Sequence, residues 1–406
     1  PGIRLRLTIL IYSQDMRGKN RMKLLIISHT PHYLREGQVL GWGSTVMEID
    51  QLATLFSEVV HLAPLYDGEP PQSSLPYQNP KVRLDLVKPS GGERWLEKIS
   101  YLWRIPRWVS VIKREIKNAD VIHIRCPAVI SLLALNAVNL WANEKPCWVK
   151  YAGNWLGRNN EPLSYKLQRK LLLKQKNHQV VTINGHWPDQ PDHVVSFYNP
   201  SFSTSDLQEM KSRAEQKSLS VPLQLLFVGR TDQAKGVGVV LSILEKLLTV
   251  NIPVELVLIG DSPERSHFEQ LSKELGLERH AHFLGWKDRV DLNKEYAKAH
   301  FILLPSISEG WPKVLSEAMA YGVVPLASDV SSIPEILEET QAGHTFAADQ
   351  PQQFVDEIVQ YTLDTDSWKT TSQCGLQAAK LFTYENYLDS VRKLFLENWG
   401  IDLNHV

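Results

Sequence analysis

The stretch "SEGWPKVLSEAMAYGVVPLASD", residues 308–329, holds the fold in miniature. An apolar run at 301–304 leads into it, and Pro305 ends that run, as at the exit of a buried strand. Pro312 suits the first turn of a helix, and Gly322 suits the residue just past its end. Val323-Val324-Pro325-Leu326-Ala327 reads as the next strand. The unit is strand, loop, helix, strand. Its loop and helix N-terminus open at the carboxyl edge of a parallel sheet, where ligands bind in such folds. Two glutamates stand eight positions apart, Glu309 in the loop and Glu317 on the helix. On a helical wheel Trp311, Val314, Leu315, Ala318 and Met319 form the buried arc, with Glu317 at its margin. An exposed i, i+4 pair with Lys313 is the plain alternative to a ligand role for Glu317.

The same alternation extends in both directions. Strand patterns fall at 23–28, 59–63, 82–86, 121–125, 147–151, 180–183 and 194–197, then at 225–228, 254–259 and 281–284. Helical patterns at 44–56, 107–117, 129–141 and 163–176 lie between those of the first half. This predicts α/β architecture with parallel sheets. At 406 residues the chain exceeds one typical core. The pattern relaxes around 201–222, read as a linker with a short helix. The division is then an extension at 1–21 ahead of Met22, a first domain at 22–200, the linker, a second domain at 223–380, and a last segment at 381–406. Thr383 caps the helix of that segment. The expected fold is two doubly wound Rossmann-like domains facing each other across a cleft, with the helix of 381–406 returning toward the first domain.

Composition narrows the function. Residues 1–200 hold 26 Lys and Arg against 16 Asp and Glu, a balance of +10; the remainder holds 18 against 29, or −11. The halves therefore suit different partners. No run of 18 apolar residues appears, and the first residues lack a signal-peptide core. Cys126, Cys147 and Cys374 are widely spaced, which suits a reducing, cytoplasmic setting. No His or Cys cluster has metal-ligand spacing, so no metal is expected, and "LDTD" at 363–366 reads as a turn. His29 and His32 follow the first strand and either face the cleft or are ordinary polar or turn residues, the second being the plainer reading. Two basic segments, 103–117 and 163–176, are either amphipathic helices packed on their own sheet or surfaces for an anionic membrane. Nucleic acid is not an expected partner, because neither segment carries a reading motif.

The strand at 225–228 runs into "GRTDQAKGVGVVL". Arg230 leaves its end, and Lys235 precedes a glycine and a helix. Two cations near a helix N-terminus are either a diphosphate clamp or a surface Arg and Lys at a turn. A P-loop would need Gly before the Lys and Ser or Thr after it, but Ala234 and Gly236 stand there. A dinucleotide fingerprint would need a third glycine where Leu241 stands. Glu309, at the same sheet edge, accepts hydrogen bonds from hydroxyls and repels phosphate. That combination selects a ligand with a polyol part beside an anionic part.

"EGWPKVLSEAMAYGVVPLAS" resembles the Glu-x7-Glu signature of the large retaining glycosyltransferase family 4, in the GT-B superfamily. "FVGRTDQAKG", "LVLIGDSPER" and "HFLGWKDR" resemble its preceding blocks in the expected order. The likeness is close over 222–340 and looser in the first half, through "ADVIHIRCP" and 41–53. It implies that Glu309 contacts the donor sugar and Glu317 the nucleotide ribose. Arg230 and Lys235 would hold the diphosphate. The backbone of Gly310, Trp311 and Pro312 would line the pocket, with Gly260 and Trp286 near the base. The family's adjacent N-terminal glycines are split here as Gly41-Trp42-Gly43, leaving open which of them approaches the donor. Many members carry a histidine after the strand matching "WVKYAG", where this chain has Gly153-Asn154-Trp155. The implied reaction is transfer of a hexose-type sugar from a nucleotide-diphosphate donor to a glycan or lipid-linked acceptor with retention, without cofactor, in surface polysaccharide or lipopolysaccharide synthesis. A nucleotide-sugar epimerase of the same superfamily and a non-catalytic nucleotide-sugar-binding protein are the alternatives.

Overall fold

The computed structural model describes residues 22–89, 95–157, 161–174, 178–187 and 189–405. The extension at 1–21 and the lysine end of the second basic segment, 175–177, lie outside them. The first domain runs β1 (Lys23–Ile27), β2 (His32–Arg35), β3 (Gln38–Trp42), α1 (Gly43–Leu52), β4 (Glu58–Tyr66), β5 (Ser74–Pro76), β6 (Val82–Val87), α2 (Trp95–Asn118), β7 (Val121–Cys126), α3 (Val129–Trp141), β8 (Cys147–Tyr151), α4 (Leu163–Leu172), β9 (Gln179–Ile183) and β10 (Val194–Ser196). A parallel run β10-β9-β8-β7-β1-β4-β6 forms its body. The central strands are mostly apolar because helices cover both faces, with His61, His123, Arg125 and Lys150 among the polar exceptions.

One feature of this domain was not anticipated. "HYLREGQVLGW" folds into the hairpin β2–β3 around Glu36 and Gly37, both at positive φ (52° and 79°). A two-residue turn of that hand matches the twist of the flanking strands. The hairpin joins the sheet through β4, and β5 adds to its outer edge. The helix expected from 107 begins at Trp95 and runs through Pro106. It lays Trp108, Ile112 and Ile116 into the core, so the first basic segment is an amphipathic helix on its own sheet.

The second domain runs α5 (Thr204–Ala214), β11 (Leu223–Val228), α6 (Val237–Thr249), β12 (Val254–Ile259), α7 (Arg265–Glu274), β13 (Ala281–Gly285), α8 (Arg289–Lys298), β14 (Phe301–Leu304), α9 (Lys313–Ala320), β15 (Val324–Ser328), α10 (Ile333–Thr340), β16 (His344–Phe346), α11 (Pro351–Leu363) and α12 (Thr365–Ala378). Its sheet has the order β13-β12-β11-β14-β15-β16, all parallel. The order reverses between β11 and β14, which sets a crevice at the carboxyl ends of those two strands. Along α6, Val237, Val240, Leu241, Leu244 and Leu247 recur at helical spacing and pack on β11 and β12. Asp364 of "LDTD" caps α12, accepting from the Ser367 N–H at 3.0 Å.

The short helix foreseen within 201–222 is α5, begun by a capping box between Ser203 and Asp206. Leu207 and Met210 enter the second core, and Lys217 donates to the carbonyls of Tyr296, Ala299 and Tyr321. This segment is therefore packed rather than slack. The chain then crosses back as α13 (Tyr384–Trp399), whose N-cap Thr383 accepts from the Asn386 N–H. Tyr387, Val391, Leu394 and Phe395 pack against Ile49, Leu52, Phe56 and Trp148 of the first domain. The outgoing and returning strands of the crossing lie side by side, joined by Tyr384 N–H to Phe202 O (2.9 Å) and Ser201 N–H to Phe382 O (2.8 Å).

Candidate active site

The reversal between β11 and β14 brings together the two loops singled out in the sequence. After β11, Asp232 organises the loop: Oδ1 accepts from the Lys235 N–H at 3.0 Å and Oδ2 pairs with Arg230 Nη2 at 2.8 Å. Gly236 follows at φ 77°, where an added Cβ would lie 2.2 Å from Pro305 O. Glycine is needed there for both conformation and space. After β14 the second loop is tied to the first by Ile307 N–H to Ala234 O at 2.9 Å. Lys235 Nζ meets Glu309 Oε1 at 2.5 Å, and the Glu309 side chain is only 10% exposed. Lys235 and Glu309 thus share one point, facing the crevice. Arg230 stands apart from them, 69% exposed and paired with Asp232. The organising role of Asp232 was missed in the sequence, although an Asp three residues before Lys235 is a helix-cap signal.

Glu309-Gly310 also faces the first domain. Gly310 lies so close to Ala152 that an added Cβ would be 2.3 Å from its carbonyl oxygen. Between the domains is a cavity of about 380 Å³, lined by Tyr151, Asn154, Glu161 and Tyr165 on one side and Ser308 and Glu309 on the other. Asn154 therefore stands at the cavity wall beside the position where a histidine is common. Pro312 caps α9, whose first N–H groups have no partner within the helix by construction and point toward this loop. The Trp311 ring turns away into the second core, stacked on Phe382 at 5.0 Å, with Nε1 donating to Ser316 Oγ. Only its backbone is left for the crevice.

Further along the same edge, Gly229 and Gly260 follow adjacent strand ends and Gly285 is the last residue of β13. At Gly260 (φ 131°) an added Cβ would lie 1.8 Å from Gly229 O, and its N–H donates to Gly285 O. The edge is stripped of side chains there, and Trp286 beside it is 42% exposed. Glu317 does not form the exposed pair with Lys313 that its spacing allows. Its Oε2 accepts from Tyr296 Oη at 3.0 Å. Burial raises its carboxyl above the usual range, opposed by Arg289, Tyr296 and Lys313.

The first-domain glycines have packing duties. Gly41 lies in β3, where an added Cβ would be 2.9 Å from His32 Nε2. Gly43 opens α1 against Ser73, and its N–H already donates to Ser73 O at 3.0 Å. His32 is buried, hydrogen-bonded to Thr30 O and Tyr77 Oη, and burial holds it down to about 4. Beneath the cleft lies an ion cluster unforeseen in the sequence. Glu48 Oε1 pairs with Arg125 at 2.7 Å and Lys150 at 2.6 Å, and Tyr387 Oη donates to it at 3.1 Å. The two cations hold Glu48 well below the usual carboxylate range, and burial pulls Lys150 down to about 7.

Comparison with known proteins matches residues 208–380 to the family described as Glycosyl transferases group 1. A D-inositol 3-phosphate glycosyltransferase of Corynebacterium kroppenstedtii is 23% identical over 273 residues, 60% of each chain. The amylovoran biosynthesis glycosyltransferase AmsK of Erwinia amylovora is 30% identical over 132 residues, 31% of this chain and 32% of its own. The matched stretches span between 27% and 60% of the lengths of curated relatives. Among solved structures, the sucrose-phosphate synthase of Thermosynechococcus elongatus superposes with TM-score 0.70 at 16% identity, over 94% of this chain and all of its own. Anabaena Alr3699/HepE, solved in complex with UDP and glucose, gives TM-score 0.64 at 16% identity, over 93% and 100%. Residues 208–380 match the glycosyl transferases group 1 model, and the two-domain fold that contains them has the GT-B plan of these solved structures.

Proposed function

We propose that the chain is a retaining glycosyltransferase, moving a hexose-type sugar from a nucleotide-diphosphate donor to a glycan or lipid-linked acceptor. The Lys235–Glu309 contact at the strand-order reversal carries this reading. One cation and one carboxylate at a shared point suit a ligand whose phosphate and sugar meet there. With donor present, Lys235 turns to the diphosphate and Glu309 accepts from sugar hydroxyls. Arg230 and the α9 N-terminus face the same phosphates. Glu317 accepts from the ribose, and the bare edge at Gly260 and Trp286 takes the base. Gly41 and Gly43 pack against His32 and Ser73 and enter this reading only by shaping the β3–α1 turn beside the cleft.

The bond from the anomeric carbon to the diphosphate oxygen breaks as the bond to the acceptor oxygen forms on the same face. The acceptor proton passes to the departing diphosphate, so no protein base or metal is needed. Lys235, Arg230 and the α9 N–H groups stabilise the charge that grows on the leaving group. The acceptor enters from the first domain, through the cavity at Asn154 and Tyr165. Around α4, Leu163 (84% exposed), Leu167 and Leu173 lie beside Lys166, Lys170 and Lys174, a face suited to peripheral contact with an anionic membrane from the cytoplasmic side. A relative named for amylovoran biosynthesis supports a role in surface polysaccharide or lipopolysaccharide assembly.

The test is a thermal-shift screen of nucleotide sugars, since a ligand of the native state raises the melting temperature. It is followed by turnover with the stabilising donor in wild type, Lys235→Ala and Glu309→Gln. Unchanged kcat/KM in both variants sinks the assignment. An isomeric nucleotide sugar formed without acceptor favours an epimerase, and binding without turnover favours a sensor.

A further inference from the structure

The flank of α9 that carries Glu317 holds another charged group, unused in the scheme above. Lys313 precedes Glu317 by one helical turn, and its Nζ is buried with no hydrogen-bond partner among the described residues. A buried ammonium left unbonded is costly, so its placement asks for a reason. It forms no ion pair within 4 Å among the described residues; at longer range it feels the charges of Glu48 of α1, across the domain boundary, and of Glu317 on its own helix, with Arg125 and Arg289 as like charges. Glu48 is already bonded to Arg125, Lys150 and Tyr387. It therefore attracts Lys313 without consuming its donors. Glu317 is faced by Tyr296 and Arg289 of α8 and by Lys313. Tyr384, at the start of α13, adds a buried hydroxyl that is also without a partner.

We infer that Lys313 is a positioning residue for Glu317: its ammonium keeps the neighbouring carboxylate charged and turned toward the donor ribose, while Glu48 of the first domain fixes where that ammonium stands. This rests on the proposed ribose role of Glu317. Ionised, a carboxylate accepts at both oxygens; protonated, it turns one of them into a donor and holds a diol less well. Burial opposes ionisation; Arg289, shared with Asp206 at 3.4 Å, and the Tyr296 hydrogen bond counter it most, and Lys313 adds to them from the same helix. Because Glu48 and Glu317 belong to different domains, the grip on the ribose depends on both domains being in place.

The experiment is calorimetric binding of UDP, GDP and ADP and their 2′,3′-dideoxy counterparts to wild type, Glu317→Gln, Lys313→Met and Lys313→Arg. For the nucleotide that binds most tightly, Lys313→Met weakens affinity about tenfold, the scale of one hydrogen bond to a charged group. The dideoxy form loses little, and Lys313→Arg recovers most of the loss. On lowering pH from about 8 to about 5, affinity in Lys313→Met falls at a higher pH than in wild type, because protonation of Glu317 is no longer opposed. Equal losses for both nucleotide forms, or no loss in either, overturn the inference and leave Lys313 a packing residue. If Lys313→Met does not fold, Lys313→Gln takes its place under the same criteria. If wild type does not discriminate the dideoxy form, or Glu317→Gln changes nothing, the ribose role of Glu317 falls instead, and this inference with it.

Discussion

The two domains share a sheet plan but spend their charged residues differently. In the second, Lys235 and Glu309 meet at the open end of the strand reversal, partly accessible and held by short loops. In the first, the corresponding edge carries Arg125 and Lys150, both drawn in against Glu48 of α1, whose side chain is 3% exposed and is also bonded by Tyr387 of α13. The same kinds of side chain thus make a ligand-facing pair in one domain and a structural keystone in the other. What separates them is whether a helix covers them.

That contrast can be broken experimentally. The largest effect is expected for Glu48→Ala, which leaves two cations buried around an empty carboxylate site. It should cost about 3–5 kcal/mol of stability, measured by denaturant unfolding. A loss below about 1 kcal/mol would mean the cluster is solvated. Next comes Lys235→Ala, which should lower kcat/KM about 10²–10³-fold, as for loss of one preorganised stabiliser, while leaving the melting temperature nearly unchanged. A stability loss as large as that of Glu48→Ala would erase the distinction between the domains.

Acid should discriminate the domains by a smaller margin. Burial holds His32 near 4 and His61 and His123 well below their usual value in the first domain; His300, also near 4, belongs to the second. The unfolded chain takes up protons below about 6.5 and the folded chain does not, so stability falls as pH drops from 6.5 toward 4. At pH 5 the loss is about 2 kcal/mol for each such histidine. Hydrogen exchange should show the first domain opening before the second, and His32→Gln should flatten its pH dependence. Smallest is Arg230→Ala: exposed and shared with Asp232, it should cost under about tenfold in kcat/KM, and a larger loss would make it the equal of Lys235 in stabilising the leaving group.

The second domain was largely legible in sequence because its chemistry is local. Glu309 and Glu317 lie on one loop-helix step, Lys235 on another, and helix caps and strand exits around them follow short-range rules. Only the partners were hidden. Tyr296 reaches Glu317 from a separate helix, and Lys313 is buried by the first domain rather than exposed on a flank. The first domain was readable in its parallel strands but not in its additions. The Glu36-Gly37 turn offers one glycine in an otherwise unmarked stretch, so the hairpin that absorbs Gly41 went unseen. Glu48, Arg125, Lys150 and Tyr387 lie up to 339 positions apart in the chain, a separation that no periodicity reports.

The return of α13 onto the first domain makes that domain discontinuous in sequence. A fragment ending at residue 200 would leave Ile49, Phe56 and Trp148 bare and Glu48 without Tyr387. To work with the acceptor half in isolation, one would graft residues 383–405 back onto it, as a tethered or added peptide, or permute the chain so that the helix is synthesised alongside the sheet it seals.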